Sequence, residues 1–307
     1  MIMFKSAWKL VACALVLAAY GMAGIQAADT ENPEGDAKAK RKLVILAGRP
    51  SHGPGDHEFN AGCMLLQKAL AETTPDLEVS LHKGGWPESN HAFDGADAIF
   101  FYMDGGAGHP AIKPERLELL GKLMDSGVSM GCAHFAVEVP AGDPGEAWKK
   151  WIGGHYEHMF SCNPFWSPEF KKFPDHPIAN GVKPFSIRDE WYMNMRFRPE
   201  MEGVVSILEA VPSDKVRNGP YVYPRGPYKH IVDNSGRPET MMWAVEREDG
   251  GRGFGFTGGH VHKNWGDPNF RKVVLNSLLW ISKIDVPENG VESSVTEEGL
   301  SANLDPK

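Results

Sequence analysis

His134 and Glu138 follow closely on an apolar run at residues 128–133 and stand four residues apart. That spacing places both side chains on one face if the chain turns helical after the run. Imidazole and carboxylate groups serve as general acids and bases, and both bind metal ions. At the carboxyl end of a buried strand in an α/β protein, such groups lie where ligands bind. A core strand that carries a hydrogen-bonded histidine explains the same segment, so the remaining sequence must decide.

Polar side chains of the same kinds follow three other predicted strands. They are His52 and His57 after residues 42–47, Asp104 after residues 96–102, and His260 after residues 252–257. The carboxyl ends of parallel strands meet at one edge of a sheet. We therefore expect these side chains and His134 to share that edge.

The strand and helix patterns of the first half alternate in the way that parallel sheets require. Apolar or alternating runs predict strands at residues 42–47, 78–81, 96–102, 128–133, 204–210, 240–246 and 252–257. Helical spacing predicts helices from His57 with Asp56 as the N-cap, over residues 114–125, and after Asp267-Pro268. This order predicts an α/β fold with helices on both faces of a mostly parallel sheet.

The chain of 307 residues is 42% hydrophobic and 23% charged, which suits one large domain at residues 42–285. Residues 29–41 are polar and predict a linker, and residues 286–307 predict a flexible tail. A third segment, residues 1–28, carries two lysines, an apolar run and then small residues, as a secretory signal peptide does. The sequence therefore predicts an exported, periplasmic or extracellular protein, with lipid anchoring at Cys13 as the weaker alternative and no membrane span after the signal is removed.

Charge and cysteine content exclude several classes of protein. Removing residues 1–28 takes away two lysines and no acidic residue, so the net charge changes from −8 to −10. Such an acidic chain is a poor candidate for binding nucleic acid or anionic lipid. Three cysteines remain after residue 28, namely Cys63, Cys132 and Cys162. So small and odd a number does not make a disulfide framework, although one disulfide bond plus one free thiol is an alternative in an oxidising compartment.

Two segments of the second half have compositions typical of ligand sites. Asp189, Glu190, Trp191 and Tyr192 place two acids beside two aromatic rings, as carbohydrate sites do, and surface acids beside core aromatics are the alternative. Residues 212–237 form a long loop rich in Pro, Gly and Tyr, and loops of that length often act as lids or binding loops.

Several motifs together resemble one known family. They are LVILAGRPSHGPGDHEF, GCAHFAVE, WIGGHYEH, DHPIANGVKPF with DEWYMNMRF, and GFGFTGGHVHKNW followed by FRKVVLNSLLWI. The chain resembles the trehalose-utilisation (ThuA-like) family over nearly the whole predicted domain. The resemblance implies a class I glutamine amidotransferase-like fold, which is a flavodoxin-like three-layer α/β/α sandwich. It also implies action on disaccharides, other glycosides or oxidised (keto) sugars, and a divalent metal in some members.

The resemblance carries over to particular residues of this chain. Those that match the recurrent polar positions of the family are His57, His134, Glu190 and His260, with Tyr192 nearby. Imidazoles with one carboxylate suit Zn, Mn or Fe, and we expect His57, His134 and His260 as the metal ligands. No HExxH or CxxC motif is present, so the ligands must converge from distant loops. The expected catalytic residues are His134, Glu190 and Glu138, and the expected substrate contacts are Asp104, Trp191, Tyr192, His52 and His155.

The preferred functional hypothesis is a metal-assisted hydrolase or lyase that acts on a glycoside or a 3-keto sugar, with His134 or Glu190 as base. A non-catalytic carbohydrate-binding protein is the alternative, with stacking platforms at Trp86, Trp166, Trp191, Tyr192 and Trp265. Amidotransferase chemistry at Cys132 is disfavoured, because that residue precedes the strand end and no paired His-Glu follows late in the chain. The expected partner is a small carbohydrate, and the sequence does not determine the oligomeric state.

Overall fold

A computed structural model describes residues 40–307 of the chain. The predicted signal peptide, Cys13 and most of the predicted linker lie outside the described residues. Over residues 40–307, no helix combines the length and the apolar character that crossing a membrane requires.

The core of the domain is a seven-stranded sheet. Its strands are β1 Arg41–Ala47, β2 Leu77–His82, β3 Ala98–Tyr102, β4 Ser129–Ala133, β11 Val204–Ala210, β12 Glu239–Glu246 and β13 Arg252–Phe256. Their order in the sheet is β11-β12-β13-β4-β3-β1-β2. The strands β2, β1, β3, β4 and β13 run parallel to one another, whereas β12 and β11 continue the sheet antiparallel. Three short two-stranded ribbons come from β5 Gly154–His155 with β10 Arg196–Phe197, β6 Phe165–Trp166 with β9 Asp189–Glu190, and β7 Glu169–Phe170 with β8 Phe185–Ser186.

Helices cover both faces of this sheet, so the predicted three-layer α/β/α sandwich is confirmed. They are α1 Phe59–Thr73, α2 Pro114–Asp125, α3 Asp143–Ile152, α4 Asp214–Arg217, α5 Lys229–Val232, α6 Pro268–Ile281 and α7 Glu297–Ser301. The parallel strand order 2-1-3-4 is that of flavodoxin-like folds. In such folds the chain crosses to opposite faces after β1 and β3, which opens a crevice at their carboxyl ends.

Alternate residues of β1 show how the two layers form. Leu43 and Ile45 belong to the core that α1 and α6 cover, whereas Val44 and Leu46 belong to the core on the side of α2 and α3. All four side chains are fully buried. A strand that is buried on both faces must be apolar at consecutive positions, which is why the run at residues 42–47 predicts it without alternation.

The start of α1 differs from the prediction. The helix begins at Phe59 rather than His57, and Asp56 does not cap it. Instead, Asp56 pairs with Val261 in an isolated antiparallel bridge, and the His57 N–H donates to the His260 carbonyl at 3.0 Å. This backbone pairing competes with helix initiation and joins the loops that follow β1 and β13. At α6 the prediction is confirmed, because Asp267 accepts hydrogen bonds from the N–H groups of Asn269 and Phe270.

The prediction for the C-terminal segment is also corrected, since residues 286–307 do not form a loose tail. Val291 is buried, and the Leu300 carbonyl accepts a hydrogen bond from His262 Nε2 at 2.9 Å. The Asp305 N–H donates to Glu58 Oε2 at 2.7 Å. A carboxylate as buried as Glu58 requires donors, and the tail supplies a second one in Lys307 Nζ, 3.3 Å from Glu58 Oε1. Apolar burial and these polar contacts together hold the segment on the domain.

Candidate metal centre

Four side chains from four separate segments converge at the carboxyl edge of the parallel strands. They are His57 after β1, His134 after β4, Glu190 at the end of β9 and His260 after β13, and all four are buried. His57 Nε2 lies 3.0 Å from His134 Nε2 and 3.0 Å from His260 Nδ1. Glu190 Oε2 lies 2.6 Å from His260 Nδ1 and 3.5 Å from His134 Nε2. Three nitrogens and one oxygen therefore surround a common point.

The backbone is strained at two of these positions. His57 has φ 49° and His134 has φ 52°, both in the left-handed region that L-residues rarely adopt. Such a conformation costs on the order of 1–3 kcal/mol and persists where the surrounding structure enforces it, often at functional sites. His134 directly follows β4, His57 lies in the loop between β1 and α1, and both imidazoles belong to the cluster.

Hydrogen bonds outside the cluster fix the histidine tautomers. His134 Nδ1 lies 3.0 Å from the Thr257 carbonyl oxygen, which only accepts, so Nδ1 carries the proton and Nε2 presents its lone pair. His57 Nδ1 lies 2.9 Å from Asp104 Oδ1, which assigns its lone pair to Nε2 in the same way. Carboxylates and carbonyls behind the ring are the usual partners of metal-binding histidines. Asp104 therefore orients a predicted ligand.

His260 and Glu190 make the shortest contact of the cluster, at 2.6 Å between His260 Nδ1 and Glu190 Oε2. Burial lowers the pKa of His260, but the hydrogen bond and charge of Glu190 outweigh it and raise that pKa overall. Burial raises the pKa of Glu190, against the effect of the same hydrogen bond. Glu190 Oε1 is held separately, because Asn163 Nδ2 donates to it at 2.8 Å. One oxygen of Glu190 is thus anchored, and the other faces the imidazoles.

The donor set fits a divalent cation. Burial, together with the neighbouring imidazoles, lowers the pKa of His57 and of His134, so both rings stay neutral and can act as ligands. Two lone pairs that face each other at 3.0 Å repel unless a positive charge lies between them. Ligand atoms about 2.0 Å from a tetrahedral ion lie about 3.3 Å apart, which is close to the observed spacings. His57, His134, Glu190 and His260 could hold Zn, Mn or Fe.

Asp189 supports this site in a role that sequence reasoning did not predict. Its buried carboxylate accepts hydrogen bonds from the backbone N–H groups of Gly259, His260 and Val261 at 2.9, 3.1 and 3.3 Å. It also accepts one from Asn264 Nδ2 at 3.0 Å. These bonds fix the loop that carries His260. The DEWY motif contains this acid, but no sequence signal predicts that it binds the backbone of a loop about 70 positions later.

A cavity of about 580 Å³ opens beside the cluster. Its lining residues are His52, His57, Gly105, Gly106, Ala107, Phe135, Glu138, Val139, Pro140, His158, Asn163, Glu190, Tyr192, Val222 and Tyr223. The volume lies in the range of small-molecule sites. Of these residues, sequence reasoning missed His158 and Asn163, whereas Tyr223 belongs to the long loop predicted to bind a ligand.

A profile of the ThuA family, described as trehalose utilisation, matches residues 44–281, which is more than half of the chain. The chain belongs to the ThuA family. This confirms the resemblance carried by the sequence motifs. No match was found among curated proteins.

Solved structures of other ThuA-like proteins share the fold. One from Parabacteroides merdae is 14% identical, with a TM-score of 0.54 over 84% of this chain and 94% of that chain. One from Bacteroides uniformis is 14% identical, with a TM-score of 0.54 over 82% of this chain and 96% of that chain. A glutamine amidotransferase from Thermotoga maritima aligns with a TM-score of 0.39 and 9% identity over 79% of this chain and 96% of that chain.

The side chains of the DEWY segment in this ThuA-family chain point alternately toward and away from the cavity. Glu190 and Tyr192 line the cavity, whereas Trp191 is fully buried among Phe170, Phe256 and Phe270. Successive side chains of an extended segment point to opposite sides, so the four residues cannot all line the cavity. The predicted substrate contact of Trp191 is therefore wrong. Tyr192 Oη lies 3.4 Å from His134 Nε2, next to the cluster.

The other predicted substrate contacts have different outcomes. His52 lines the cavity, and its ring lies 3.6 Å from that of His57, measured between centroids. His155 is buried in β5 and packs against Gly145 of α3, so it does not reach the cavity. Glu138, predicted as catalytic, lines the cavity. Its backbone carbonyl accepts the Gly106 N–H at 2.9 Å, which joins the loops after β3 and β4.

The three cysteines of the described residues are free and buried. Cys132 lies within β4, and burial raises the pKa of its thiol far above the ordinary value. A nucleophilic cysteine requires the opposite shift and access to substrate. The side chain of Cys132 packs in the core between β4 and α3, as a small apolar residue does.

The pKa of Glu138 gives a pH-dependent prediction. Burial, followed by the charge of Glu190, raises the pKa of Glu138 from 4.5 to about 7. Between those values the folded chain holds a proton that the unfolded chain releases, so stability falls as the pH rises. Replacing Glu138 by Gln should therefore raise the free energy of unfolding by up to about 3 kcal/mol at pH 8 and by little at pH 4.5. Urea unfolding of metal-free protein at both pH values measures the difference.

The control is Glu72→Gln on α1, where the side chain is 62% exposed and the same comparison should give little change. If Glu138→Gln changes the free energy of unfolding by the same amount at both pH values, the raised pKa of Glu138 is contradicted.

Proposed function

We propose that this ThuA-family protein is an exported, metal-dependent enzyme that acts on glycosides, and that an oxidised (3-keto) sugar ring is its reacting substrate. The family, described as trehalose utilisation, supports a role with carbohydrates. The single observation that carries the enzymatic proposal is the buried cluster of His57, His134, Glu190 and His260 beside a cavity. A binding protein has no need for four converging metal-ligand atoms.

The residues around the cavity suit proton transfer next to a ketone. A bound metal would supply Lewis-acid polarisation of a sugar oxygen. Glu138 lines the cavity and has a pKa of about 7, so at neutral pH it exchanges a proton readily. Because His134 Nε2 and Glu190 Oε2 both face the cluster, Glu138 replaces them as the proposed base.

The proposed reaction is a β-elimination. The ketone at C3 acidifies the hydrogen at C2, and Glu138 takes that proton while the C2–H electron pair becomes an enolate. The enolate electrons then form the C1–C2 double bond as the C1–O bond breaks, and the aglycone leaves with that electron pair. The aglycone oxygen takes a proton from the protonated Glu138 or from water. Hydrolysis, in which water replaces the aglycone at C1 and the C2–H bond stays intact, is the second candidate.

The structure gives the binding-only alternative little support. Of the five aromatic residues predicted as stacking platforms, Trp191 and Trp265 are fully buried and Trp166 is 7% exposed. Trp86 lines a different cleft, so only Tyr192 lines the cavity. A carbohydrate-binding site built on these rings would need them at one exposed surface.

The test is incubation of metal-loaded protein, residues 29–307, with a 3-keto glycoside in deuterated water. Elimination followed by addition of water places deuterium at C2 of the sugar product, whereas hydrolysis does not. We expect deuterium at C2 and a rate at least about a hundredfold lower for Glu138→Gln. Product incubated without protein controls for spontaneous exchange. No turnover by the metal-loaded protein would overturn the enzymatic proposal, and turnover without deuterium would favour hydrolysis.

A further inference from the structure

The cavity changes character from its buried residues to its exposed ones. Its buried side chains are mostly polar: His57, Glu190 and Tyr192 are 1%, 4% and 2% exposed, beside the apolar Val139 at 1%. Its exposed large apolar side chains are Val222 and Tyr223, at 41% and 69% exposure. Exposed apolar side chains that cluster at one opening often mark a binding surface. We call Val222 and Tyr223, with the exposed ring of His158, the mouth of the cavity.

The mouth is held in place by hydrogen bonds. The Tyr223 N–H donates to Asn163 Oδ1 at 3.1 Å, and the Val222 N–H donates to the Asn163 carbonyl at 3.2 Å. The ring of Tyr223 lies 5.9 Å from that of His158, measured between centroids. A surface apolar residue with such a fixed backbone loses little freedom when a ligand packs on it.

The base of the same loop is anchored by buried charges. Arg217 donates to Glu239 Oε1 at 2.7 Å, and both side chains are buried. Arg237 donates to the same oxygen at 2.9 Å. The loop that carries the mouth is therefore fixed at its base as well as at its tip.

The mouth is poor in side chains that could hold a second sugar. Asn163 already bonds Glu190 through Nδ2 and the Tyr223 N–H through Oδ1. Among the exposed side chains of the lining, the remaining hydrogen-bonding groups are those of His52 and His158, apart from the single hydroxyl of Tyr223. A pyranose ring presents several hydroxyls that lose water on binding and require partners. An apolar ring imposes no such requirement and packs well on aromatic and branched side chains.

We infer that the mouth formed by His158, Val222 and Tyr223 is a subsite for an aromatic or otherwise apolar aglycone, and that the substrate is a glycoside of such a group rather than a disaccharide. This inference rests on the proposed function, because it assigns the sugar ring to the polar interior beside the metal cluster.

The test compares phenyl and methyl glycosides of glucose and of galactose, with trehalose as the disaccharide, all in their 3-keto forms, by calorimetric titration of the metal-loaded protein in a Glu138→Gln background that slows turnover. We expect the phenyl glycoside of at least one sugar to bind about tenfold or more tightly than its methyl counterpart and than trehalose. Tyr223→Ala should reduce that phenyl-to-methyl ratio to near one, and Val222→Ala should reduce it partly. Val211→Ala is the matched control, because Val211 is 55% exposed and does not line the cavity, and it should leave the ratio unchanged.

Equal binding of phenyl and methyl glycosides, an unchanged ratio in Tyr223→Ala, or absence of binding by all the glycosides would overturn the inference. Tighter binding of trehalose would also overturn it and assign the mouth to a second sugar. Different results would contradict the proposed function. A chain that binds no metal and turns over no 3-keto glycoside contradicts the enzyme, whereas a metal-dependent enzyme without phenyl preference contradicts only the aglycone subsite.

Discussion

Replacement of His57 or His134 by Ala is expected to abolish metal binding, with occupancy falling from about one ion per chain to less than about a tenth. Loss of an orienting partner alone typically costs 10- to 100-fold in metal affinity, so loss of a ligand should cost at least about a hundredfold. Bound metal stabilises the folded chain by about 2.7 kcal/mol at a free concentration 100 times the dissociation constant. Elemental analysis measures the occupancy, and thermal unfolding with and without added Zn²⁺ or Mn²⁺ measures the stabilisation.

His91→Ala is the control for this prediction, because His91 is exposed and pairs only with Asp94 in the described structure. It should retain full metal content. Glu190→Gln tests the same cluster with nearly unchanged side-chain volume, which separates loss of a ligand from a packing defect. Wild-type protein without metal, or ligand variants that keep it, would contradict the assignment of the cluster.

Asp189→Ala is expected to reduce both stability and metal affinity. The substitution leaves the N–H groups of Gly259, His260 and Val261 without the carboxylate that they now share. Unsatisfied buried donors cost about 1–3 kcal/mol each, so we expect a loss of about 3–5 kcal/mol in the free energy of unfolding. Because the same loop positions His260, metal affinity should fall about 10- to 100-fold. Urea unfolding in a chelator and titration with a metal ion measure the two effects.

The matched control for stability is Leu120→Ala on α2, in the core on the other face of the sheet. A buried Leu→Ala change typically costs about 2–5 kcal/mol, which is a similar destabilisation, and here metal affinity should stay at the wild-type value. Asp189→Asn keeps the size of the side chain and should fall between wild type and Asp189→Ala in both measurements. Metal affinity that is unchanged in Asp189→Ala, or lowered equally in Leu120→Ala, would contradict the positioning role.

These predictions follow from a division of roles between adjacent residues. Asp189 fixes the loop of His260, while Glu190 points into the cluster. Asp104 and the Thr257 carbonyl orient the imidazoles of His57 and His134 from outside. Asn163 connects Glu190 to the backbone of Tyr223 and thus joins the cluster to the mouth of the cavity.

Local sequence determined the architecture of this protein to a large extent. The run at residues 42–47 predicts a strand buried on both faces, and β1 is one. Asp267 and Pro268 predict the start of α6, because the cap and the fixed φ of proline act within one helical turn. The alternation of strands and helices restricts the fold to a parallel sheet and therefore places His57, His134 and His260 at one edge.

Tertiary structure decided which further side chains join these histidines and Glu190 in the site. Trp191 and Tyr192 are neighbours in sequence but point to opposite sides, and the pairing of β9 with β6 sets which one faces the cavity. Asp56 pairs with Val261 instead of capping α1, and Glu58 binds the C-terminal segment, through contacts between residues about 205 and 247 positions apart. Local propensity acts over a few residues, whereas these contacts depend on which loops the folded sheet brings together.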